Sequence, residues 1–366
     1  MKITHIEIYK FSIPMVPFTI ATGTMYFAQN ILIKVNTDEG FTGYGECSAF
    51  PMIAGETQNT CFELAKDFAR LWKGKDALAI TERLNELDLY IAGNYTAKSA
   101  FDLALFDLAA KKENLPLYKF LGGNKRNIES DLTIGIGTPE TMAAQAVDFV
   151  QRGVTMIKVK LGKAPKDDIE RIRQIRAAIG DTTIVRIDAN QGWTYDEAVE
   201  ALTGLGQFDI QFCEQPMRKY NDHLLPALCK LSPIPVMADE SVFTHHDAER
   251  IIRNNACAYI NIKFAKSGGI AEAQRINKIA EQNSIPCMMG GMLESRVALT
   301  AKVHFAMANT NICFYDLDTC LLGHKEDPVI GGVTYQNGMH LQLPDAPGIG
   351  VTVDEGYLSK LEMVVV

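Results

Sequence analysis

Residues 156–162 read Met-Ile-Lys-Val-Lys-Leu-Gly, a short apolar stretch that carries two lysines, Lys158 and Lys160, two positions apart. The pattern predicts a buried β-strand. Successive side chains of a strand point to opposite faces, so both lysines share one face and Val159 lies on the other. Buried ammonium groups are costly unless negative groups accompany them. This stretch therefore predicts a strand whose polar face meets carboxylates inside the fold.

The chain around this strand, residues 126–325, alternates between short apolar strands and amphipathic helices. Eight strand-like segments occur there, and they read SDLTIGIG, MIKVKLG, TIVRIDAN, IQFCEQP, PVMADES, AYINIKF, PCMMGG and CFYDLDT. Polar or glycine residues near their ends recur every 24 to 28 positions from Lys160 to Asp316, which is the size of one βα unit. We predict an α/β fold with a parallel (β/α)8-type barrel. A doubly wound open sheet is the alternative, but it usually carries a glycine-rich phosphate loop, which we do not find.

The flanking regions have a different sequence pattern. Residues 1–125 open with alternating segments joined by an Asp/Gly turn signal and continue with a helical stretch, which predicts a smaller α+β domain. Residues 326–366 are expected to pack back onto that domain. The predicted organisation is therefore 1–125, 126–325 and 326–366.

Composition limits the possible partners and the compartment. The 366 residues carry a net charge of -8 and no basic run, so neither nucleic acid nor an anionic membrane surface is an expected partner. No apolar run is long enough to span a bilayer, and the N-terminus lacks the features of a signal peptide. Eight cysteines are scattered without a CxxC pair. These features predict a cytoplasmic protein with reduced cysteines.

Three acids mark the ends of consecutive strands, namely Asp188, Glu214 and Asp239. Barrel enzymes place their chemistry at the carboxyl ends of the strands, so these side chains are expected to converge. Three carboxylates with room for water or substrate suit a hard divalent cation. The sequence therefore predicts a Mg²⁺ site.

Lysines flank the predicted metal site. Lys160 on the second strand and Lys263 on the sixth lie four strands apart and are expected to face each other across the barrel mouth. A lysine beside a metal in a closed pocket can act as a general base when its pKa is lowered. Two such lysines can remove a proton from one face of a carbon and return it to the other. Lys158 is expected to stay cationic in the same pocket and to lower the pKa of Lys160 through like-charge repulsion.

The chain resembles the enolase superfamily, in its muconate lactonising subgroup, along nearly its full length. The matching segments are KVK at 158–160, RIDANQGW at 186–193, CEQP at 213–216, ADES at 238–241 and NIKFAKSGG at 261–269. The resemblance implies one Mg²⁺ per subunit on Asp188, Glu214 and Asp239, with Lys160 and Lys263 as the acid/base pair. The ion would stabilise an enediolate formed next to a substrate carboxylate. It also implies that the first domain caps the barrel.

A second motif narrows the expected substrate. Asp316 and Asp318 in CFYDLDT share one face of the eighth strand and resemble the Asp-x-Asp motif with which dipeptide epimerases bind the amine of their substrate. Thr133 matches a threonine that contacts the substrate in that family. Ala-Glu epimerases can carry an arginine in the capping loop, but Gly23 stands at the corresponding position here. We therefore expect an epimerase for L-Ala-D/L-Glu from recycled cell-wall peptide, or for broader L-Ala-X dipeptides, in a pocket lined by Met25, Met289 and Met292.

Other functions remain open at this point. Within the subgroup the alternatives are an N-acylamino acid racemase, a cycloisomerase and a succinylbenzoate synthase, against which Asp316 and Asp318 argue. A metal-bound binding protein has no need for two opposed bases. A Schiff-base lysine enzyme is disfavoured by the three carboxylates. The expected partner is a small dipeptide, and the protein is expected to be a homo-oligomer.

Overall fold

The chain begins with an antiparallel sheet. Strands β1 (Ile3–Ile20), β2 (Gly23–Thr37) and β3 (Thr42–Ser48) follow one another, and the C-terminal strand Met363–Val365 pairs with β1 at the outer edge. This computed structural model describes residues 1–336 and 339–366. Five helices come next: α1 (Pro51–Ala54), α2 (Gln58–Trp72), α3 (Ile80–Tyr90), α4 (Tyr95–Lys112) and α5 (Leu117–Phe120).

Eight parallel strands form the second sheet, in the order of the chain. They are β4 (Leu132–Ile134), β5 (Met156–Lys160), β6 (Ile184–Asp188), β7 (Ile210–Glu214), β8 (Val236–Ala238), β9 (Tyr259–Ile262), β10 (Cys287–Gly290) and β11 (Ile312–Asp316). The connecting helices are α6 (Pro139–Gln151), α7 (Pro165–Ile179), α8 (Tyr195–Leu205), α9 (Leu225–Leu231), α10 (His245–Arg253), α11 (Phe264–Ser267), α12 (Ile270–Gln282) and α13 (Arg296–Ala308), with a 3₁₀ turn at Lys219–Leu224.

The first and last parallel strands meet, which almost closes the sheet into a barrel. The backbone N–H of Asp131 donates to the carbonyl of Tyr315 at 3.2 Å, and the N–H of Thr133 donates to the Asp318 carboxylate at 2.7 Å. A 3₁₀ turn, Thr319–Leu321, follows β11. The predicted eight-stranded barrel with a separate α+β unit is confirmed.

The C-terminal segment contacts both units. It contains β12 (Val329–Gly331), β13 (Thr334–Gln336), β14 (His340–Gln342), β15 (Val351–Val353), α14 (Glu355–Leu358) and β16 (Met363–Val365). β16 extends the antiparallel sheet, whereas an isolated bridge joins His340 to Glu129 beside the barrel. The domain boundaries at 125 and 325 stay predictions. No helix in the described part of the chain is both long and apolar enough to cross a membrane.

The hairpin of β1 and β2 reaches the mouth of the barrel. Its tip contacts the loops that follow two barrel strands: the N–H of Ile136 donates to the carbonyl of Thr19 at 2.9 Å, and Lys163 Nζ donates to the carbonyl of Ala21 at 3.1 Å. The antiparallel unit therefore covers the carboxyl ends of the parallel strands.

Helix α4 joins the two units. Its residues 96–110 are all buried, and they include the charged side chains Lys98, Asp102 and Asp107 among mainly apolar ones, so protein encloses the helix on all sides. β3 packs closely on it because Gly45 has no Cβ, which would lie 1.8 Å from the carbonyl oxygen of Ala100.

Two buried acids of the first unit cap barrel helices. Asp102 on α4 accepts hydrogen bonds from the backbone N–H groups of Ile270 and Ala271, at the start of α12. Glu46 on β3 accepts from the N–H and hydroxyl of Ser295 and from the N–H of Ala298, at the start of α13. Free N–H groups at a helix start favour a carboxylate, so these contacts fix the unit over the barrel.

Asp102→Asn tests this junction. Burial raises the pKa of Asp102 from its ordinary 3.8 to about 7, so the folded chain holds this proton more tightly than the unfolded chain. Raising the pH through this interval strips the unfolded chain first, and the contribution of Asp102 to stability is lost. We expect the stability advantage of the wild type over Asp102→Asn to decline from about pH 4 to pH 7 in urea unfolding. Asp167→Asn, at an exposed acid of α7, is the control. A difference independent of pH would contradict the assignment.

Candidate active site

The interior of the barrel is apolar at the end opposite the hairpin. Arg186 lies over the rings of Phe212 and Phe314, with centroid distances of 5.3 and 5.4 Å. Tyr259, Met237 and Met288 pack in the same cluster as these two rings. This layer excludes water from below, so charged groups above it must be paired with one another.

Lys158 occupies the centre of the next layer. Its Nζ lies 2.6 Å from Glu214, 2.8 Å from Asp316 and 3.3 Å from Asp188, and its side chain is completely buried. Burial disfavours the charged form, but the three carboxylates outweigh it and hold the pKa of Lys158 well above its ordinary value. These three carboxylates are the negative partners that residues 156–162 predict for a buried lysine.

Lys160 and Lys263 stand nearer the mouth. Lys160 Nζ lies 2.7 Å from Asp188, and Lys263 Nζ lies 2.8 Å from Asp239 and 3.8 Å from Glu214. Both lysines line one cavity of about 40 Å³ beneath the hairpin. The three predicted metal ligands and the two predicted bases therefore lie together at this end of the barrel, at the last residue of β5, β6 and β7 and one residue after β8 and β9.

Different neighbours shift the pKa values of the three acids. Burial and the charge of Asp188 raise the pKa of Glu214 to about 8. Burial also opposes ionisation of Asp239, but Lys263 and Lys266 outweigh it and hold that pKa well below its ordinary value. For Asp188 the cations Lys160 and Lys158 likewise outweigh burial and lower the pKa.

The oxygen atoms of these acids fit a metal site. Within the described residues, Glu214 Oε2 and both carboxylate oxygens of Asp239 accept no hydrogen bond, although all are buried. Lysine Nζ atoms approach them at 2.6 to 2.8 Å. Buried carboxylate oxygens without hydrogen bonds are the ligands that hard divalent cations take.

Two residues that the sequence reasoning did not assign hold these ligands. Lys266 is fully buried; its Nζ lies 2.8 Å from the Asp239 carboxylate and donates to the carbonyls of Val242 and Asn261. The Asn261 side chain donates to Glu214 at 2.7 Å. The sequence carries one signal for the role of Lys266. It stands three positions after Lys263 in an apolar stretch, and a buried ammonium needs acceptors.

Glu240 is a further unassigned acid. It is buried beside Asp239, and neither of its carboxylate oxygens has a hydrogen bond within the described residues. Burial and the charges of Asp239 and Asp188 raise its pKa to about 8.

The predicted amine-binding pair lies at the seam of the barrel. Asp316 accepts from Lys158, and burial is outweighed by Lys158 and its fellow lysines, which lower the pKa of Asp316 to about 2. Asp318 accepts the backbone N–H of Thr133. Asp131, which the sequence reasoning missed, completes a group: one carboxylate oxygen from each of the three acids lies within 4.8 Å of the others.

The cavity beneath the hairpin is lined mainly by apolar side chains. Besides the two lysines and Asn190, it is bounded by Phe18, Ile20, Met25, Phe50, Ile53, Met292 and Leu293. The expected lining by Met25 and Met292 is therefore found. The expectation for Met289 is wrong, because strand alternation turns its side chain outward into the core between barrel and helices while Met288 points inward.

Two family models match the chain. The mandelate racemase/muconate lactonizing enzyme N-terminal domain matches residues 3–122, and the enolase C-terminal domain-like model matches residues 141–357. The chain belongs to the enolase superfamily. The family expected from the KVK, RIDANQGW and CEQP segments is confirmed.

Its relatives include dipeptide epimerases. The D-Ala-D/L-Ala epimerase of Cytophaga hutchinsonii is 43% identical over 100% of this chain and 99% of its own length. The crystal structure of the dipeptide epimerase from that organism, complexed with Mg and D-Ala-L-Val, matches with a TM-score of 0.98 over 100% of both chains.

Two further enolase-superfamily relatives have other named substrates. The L-Ala-D/L-Glu epimerase of Clostridium acetobutylicum is 40% identical over 96% of this chain and 99% of its own. The N-succinyl Arg/Lys racemase of Bacillus cereus matches with a TM-score of 0.96 and 31% identity over 100% of both chains.

Lys158→Met tests the charge balance inside the barrel. Removal of one partner from a buried ionic group leaves its carboxylates unpaired, so we expect a loss of about 3–5 kcal/mol in the free energy of unfolding. Lys158→Met/Glu214→Gln removes one of those charges as well and should regain part of the loss. Lys302→Met, at a buried lysine whose one acidic partner among the described residues is Glu294, is the control for lysine burial. Urea unfolding measures all three, and an unchanged stability for Lys158→Met would contradict the account.

Proposed function

We propose that this protein is a Mg²⁺-dependent dipeptide epimerase that inverts the α-carbon of the C-terminal residue. The observation that carries the proposal is the placement of Lys160 and Lys263, from strands four positions apart, on one cavity at the end of three acid-bearing strands. Proton removal by one base and return by another requires such an arrangement. The Cytophaga hutchinsonii relative, whose structure holds Mg and a dipeptide, supports the same reaction class.

Asp188, Glu214 and Asp239 are the proposed ligands of one Mg²⁺ per subunit. When bound there, the ion would stabilise the negative charge that develops on the substrate carboxylate as the α-proton leaves. The buried oxygens of Glu214 and Asp239 that accept no hydrogen bond within the described residues support this choice. Both oxygens of Asp188 accept one, from Lys160 and from the N–H of Asn190. Asp131, Asp316 and Asp318 form a second group of acids at the seam of the barrel, and Asp316 and Asp318 are proposed to bind the substrate's ammonium instead.

The two lysines are the proposed acid and base. A lysine accepts a proton only in its neutral form. Here the charges of Asp239 and Glu214 outweigh burial and raise the pKa of Lys263, which favours its charged form. Neutralisation of those carboxylates removes the charges that stabilise the ammonium. The base at this position thus depends on a filled cation site next to it.

Lys158 is proposed to stay cationic and to hold negative charge near the substrate. Its three carboxylates raise its pKa and at the same time cancel its charge. It is therefore a weak source of the like-charge repulsion that the sequence reasoning assigned to it. Thr133, which is buried beside this group at the seam, remains a proposed substrate contact.

The proposed substrates are Ala-X dipeptides in which X is apolar. Asp316 and Asp318 would bind the free ammonium of the alanine, and the apolar side chains around the cavity would receive X. Among the described residues that line this cavity, the cations are the two lysines, so a glutamate side chain has no separate partner. Assays with both L-Ala-X and D-Ala-X decide the configuration of the first residue. L-Ala-Glu and an N-succinyl amino acid are the comparison substrates, since the Clostridium acetobutylicum and Bacillus cereus relatives are named for them.

A cytoplasmic location and a homo-oligomer are also proposed. The eight cysteines are free, as in a reducing compartment. Val16, Tyr26 and Phe27 on the hairpin are each more than half exposed, and exposed apolar clusters often mark contacts between proteins.

Single-lysine variants test the two-base mechanism. We expect Lys160→Ala and Lys263→Ala each to lose net epimerisation by at least about a thousandfold, within the usual range for a general base. Each variant should still exchange the α-proton of one stereoisomer with deuterium, and the two variants should act on opposite stereoisomers. Mass spectrometry with both isomers of an Ala-X dipeptide measures the exchange. Exchange of the same isomer by both variants, or retained epimerisation in either, would rule out two opposed bases.

Gly23→Arg tests the substrate side chain. A Cβ at Gly23 would lie 2.8 Å from Met52 Sδ, the flexible end of a side chain that can move aside. An arginine there brings a cation to the hairpin, so we expect kcat/KM for Ala-Glu to rise about tenfold relative to Ala-Val, the value of one charge-assisted hydrogen bond. Gly23→Met is the matched control for bulk. An equal change in both variants would mean that space rather than charge decides.

A further inference from the structure

The seam of the barrel contains three carboxyl groups. Asp131 precedes β4, Asp316 ends β11 and Asp318 follows it, and one oxygen from each lies within 4.8 Å of the other two. Asp131 and Asp318 are completely buried, and Asp316 is 4% exposed. Like charges at this distance repel one another, so the cluster needs positive partners.

One oxygen of each acid already has a partner. Asp131 Oδ2 accepts from Arg186 at 2.8 Å, Asp316 Oδ2 accepts from Lys158 at 2.8 Å, and Asp318 Oδ2 accepts the N–H of Thr133 at 2.7 Å. The second oxygens of Asp131 and Asp318 have no hydrogen bond within the described residues. Buried carboxylate oxygens without a donor are rare and costly, so they point to a group that supplies donors.

The contact with Arg186 does not explain the position of Asp131. Arg186 also donates to Gln211 at 2.7 Å and to the carbonyl of Tyr315 at 3.2 Å, and it lies over two aromatic rings. It engages Asp131 through one oxygen, and the other oxygen accepts no hydrogen bond within the described residues. Burial and the charge of Asp316 outweigh Arg186 and raise the pKa of Asp131 to about 6, as expected for an acid that is short of positive charge.

The spacing of the three acids suits an ammonium group. An ammonium has three N–H donors, and three oxygens bonded to it at normal charge-assisted distances lie about 4.5 Å apart. One oxygen of each acid lies within 4.8 Å of the other two, and one oxygen each of Asp131 and Asp318 accepts no hydrogen bond within the described residues.

We propose that Asp131 is the third carboxylate of the subsite that receives the substrate's free ammonium, beside Asp316 and Asp318. This inference rests on the proposed function, and it adds a specificity residue from the opposite side of the barrel seam. Asp131 selects substrates whose N-terminal residue carries a positive charge and disfavours those whose amine is acylated or absent.

The test compares two substrates that differ only in the amine. One is an Ala-X dipeptide, and the other is the N-propanoyl derivative of the same X, which keeps the shape and lacks the ammonium. Deuterium exchange at the α-carbon gives kcat/KM for both with the Mg²⁺-loaded enzyme. In Asp131→Asn we expect the preference for the dipeptide to fall about tenfold, because one charge-assisted contact is lost.

Asp107→Asn is the matched control. Asp107 is also completely buried and pairs with one cation, Lys111 at 2.7 Å. It lies on α4, however, where its carboxylate accepts the backbone N–H groups of Tyr44 and Ile349. Its loss should lower stability without a change in substrate preference. If Asp131→Asn lowers kcat/KM equally for both substrates, its role is structural and the inference is overturned. If the wild type acts on neither substrate, the proposed function itself fails.

Ammonium chloride supplies a test that needs no variant. In the wild type, NH₄⁺ at constant ionic strength should raise KM for the dipeptide and leave KM for the N-propanoyl derivative unchanged. Tetramethylammonium, which has no N–H donor, should have no such effect. Asp131→Glu keeps the charge and should retain more of the preference than Asp131→Asn. Equal effects of the two salts, or none, would overturn the ammonium subsite.

Discussion

The contact of Lys158 with Glu214, Asp316 and Asp188 is the constraint on which the interior of the barrel depends. The lysine lies 2.6 to 3.3 Å from three acids on three other strands. Without its charge, these carboxylates would repel one another in a medium of low dielectric constant. Lys160, Lys263 and Lys266 repeat the arrangement toward the mouth. The charges that serve the proposed reaction are thus the charges that hold the upper barrel together.

The capping unit depends on acids of a different kind. Glu46 and Asp102 place carboxyl groups on the starts of two barrel helices, and the β1–β2 hairpin lies over the mouth. The cavity that remains beneath the hairpin is about 40 Å³. The contacts of Thr19 and Ala21 with the barrel loops hold the hairpin in this position.

Much of this could be predicted from the sequence. Apolar strands with polar ends, recurring at the length of one βα unit, indicated the barrel, and the acids and lysines at those ends indicated a shared site because parallel strands bring their carboxyl ends together. The alternation of side chains along a strand also placed Lys158 and Lys160 on one face. Spacing alone did not reveal Lys266, Asn261 or Asp131, because their roles depend on contacts between elements far apart in the chain. Met289 was assigned wrongly because a one-residue change in register reverses the face of a strand.

A crystal structure of the protein with Mg²⁺ and an Ala-X dipeptide tests the central claim most directly. The account predicts the ion on Asp188, Glu214 and Asp239, with Lys160 Nζ and Lys263 Nζ on opposite faces of the α-carbon of the second residue. It also predicts the alanine ammonium at the barrel seam. An ion held instead by Asp131, Asp316 and Asp318, or both lysines on one face of the α-carbon, would contradict it.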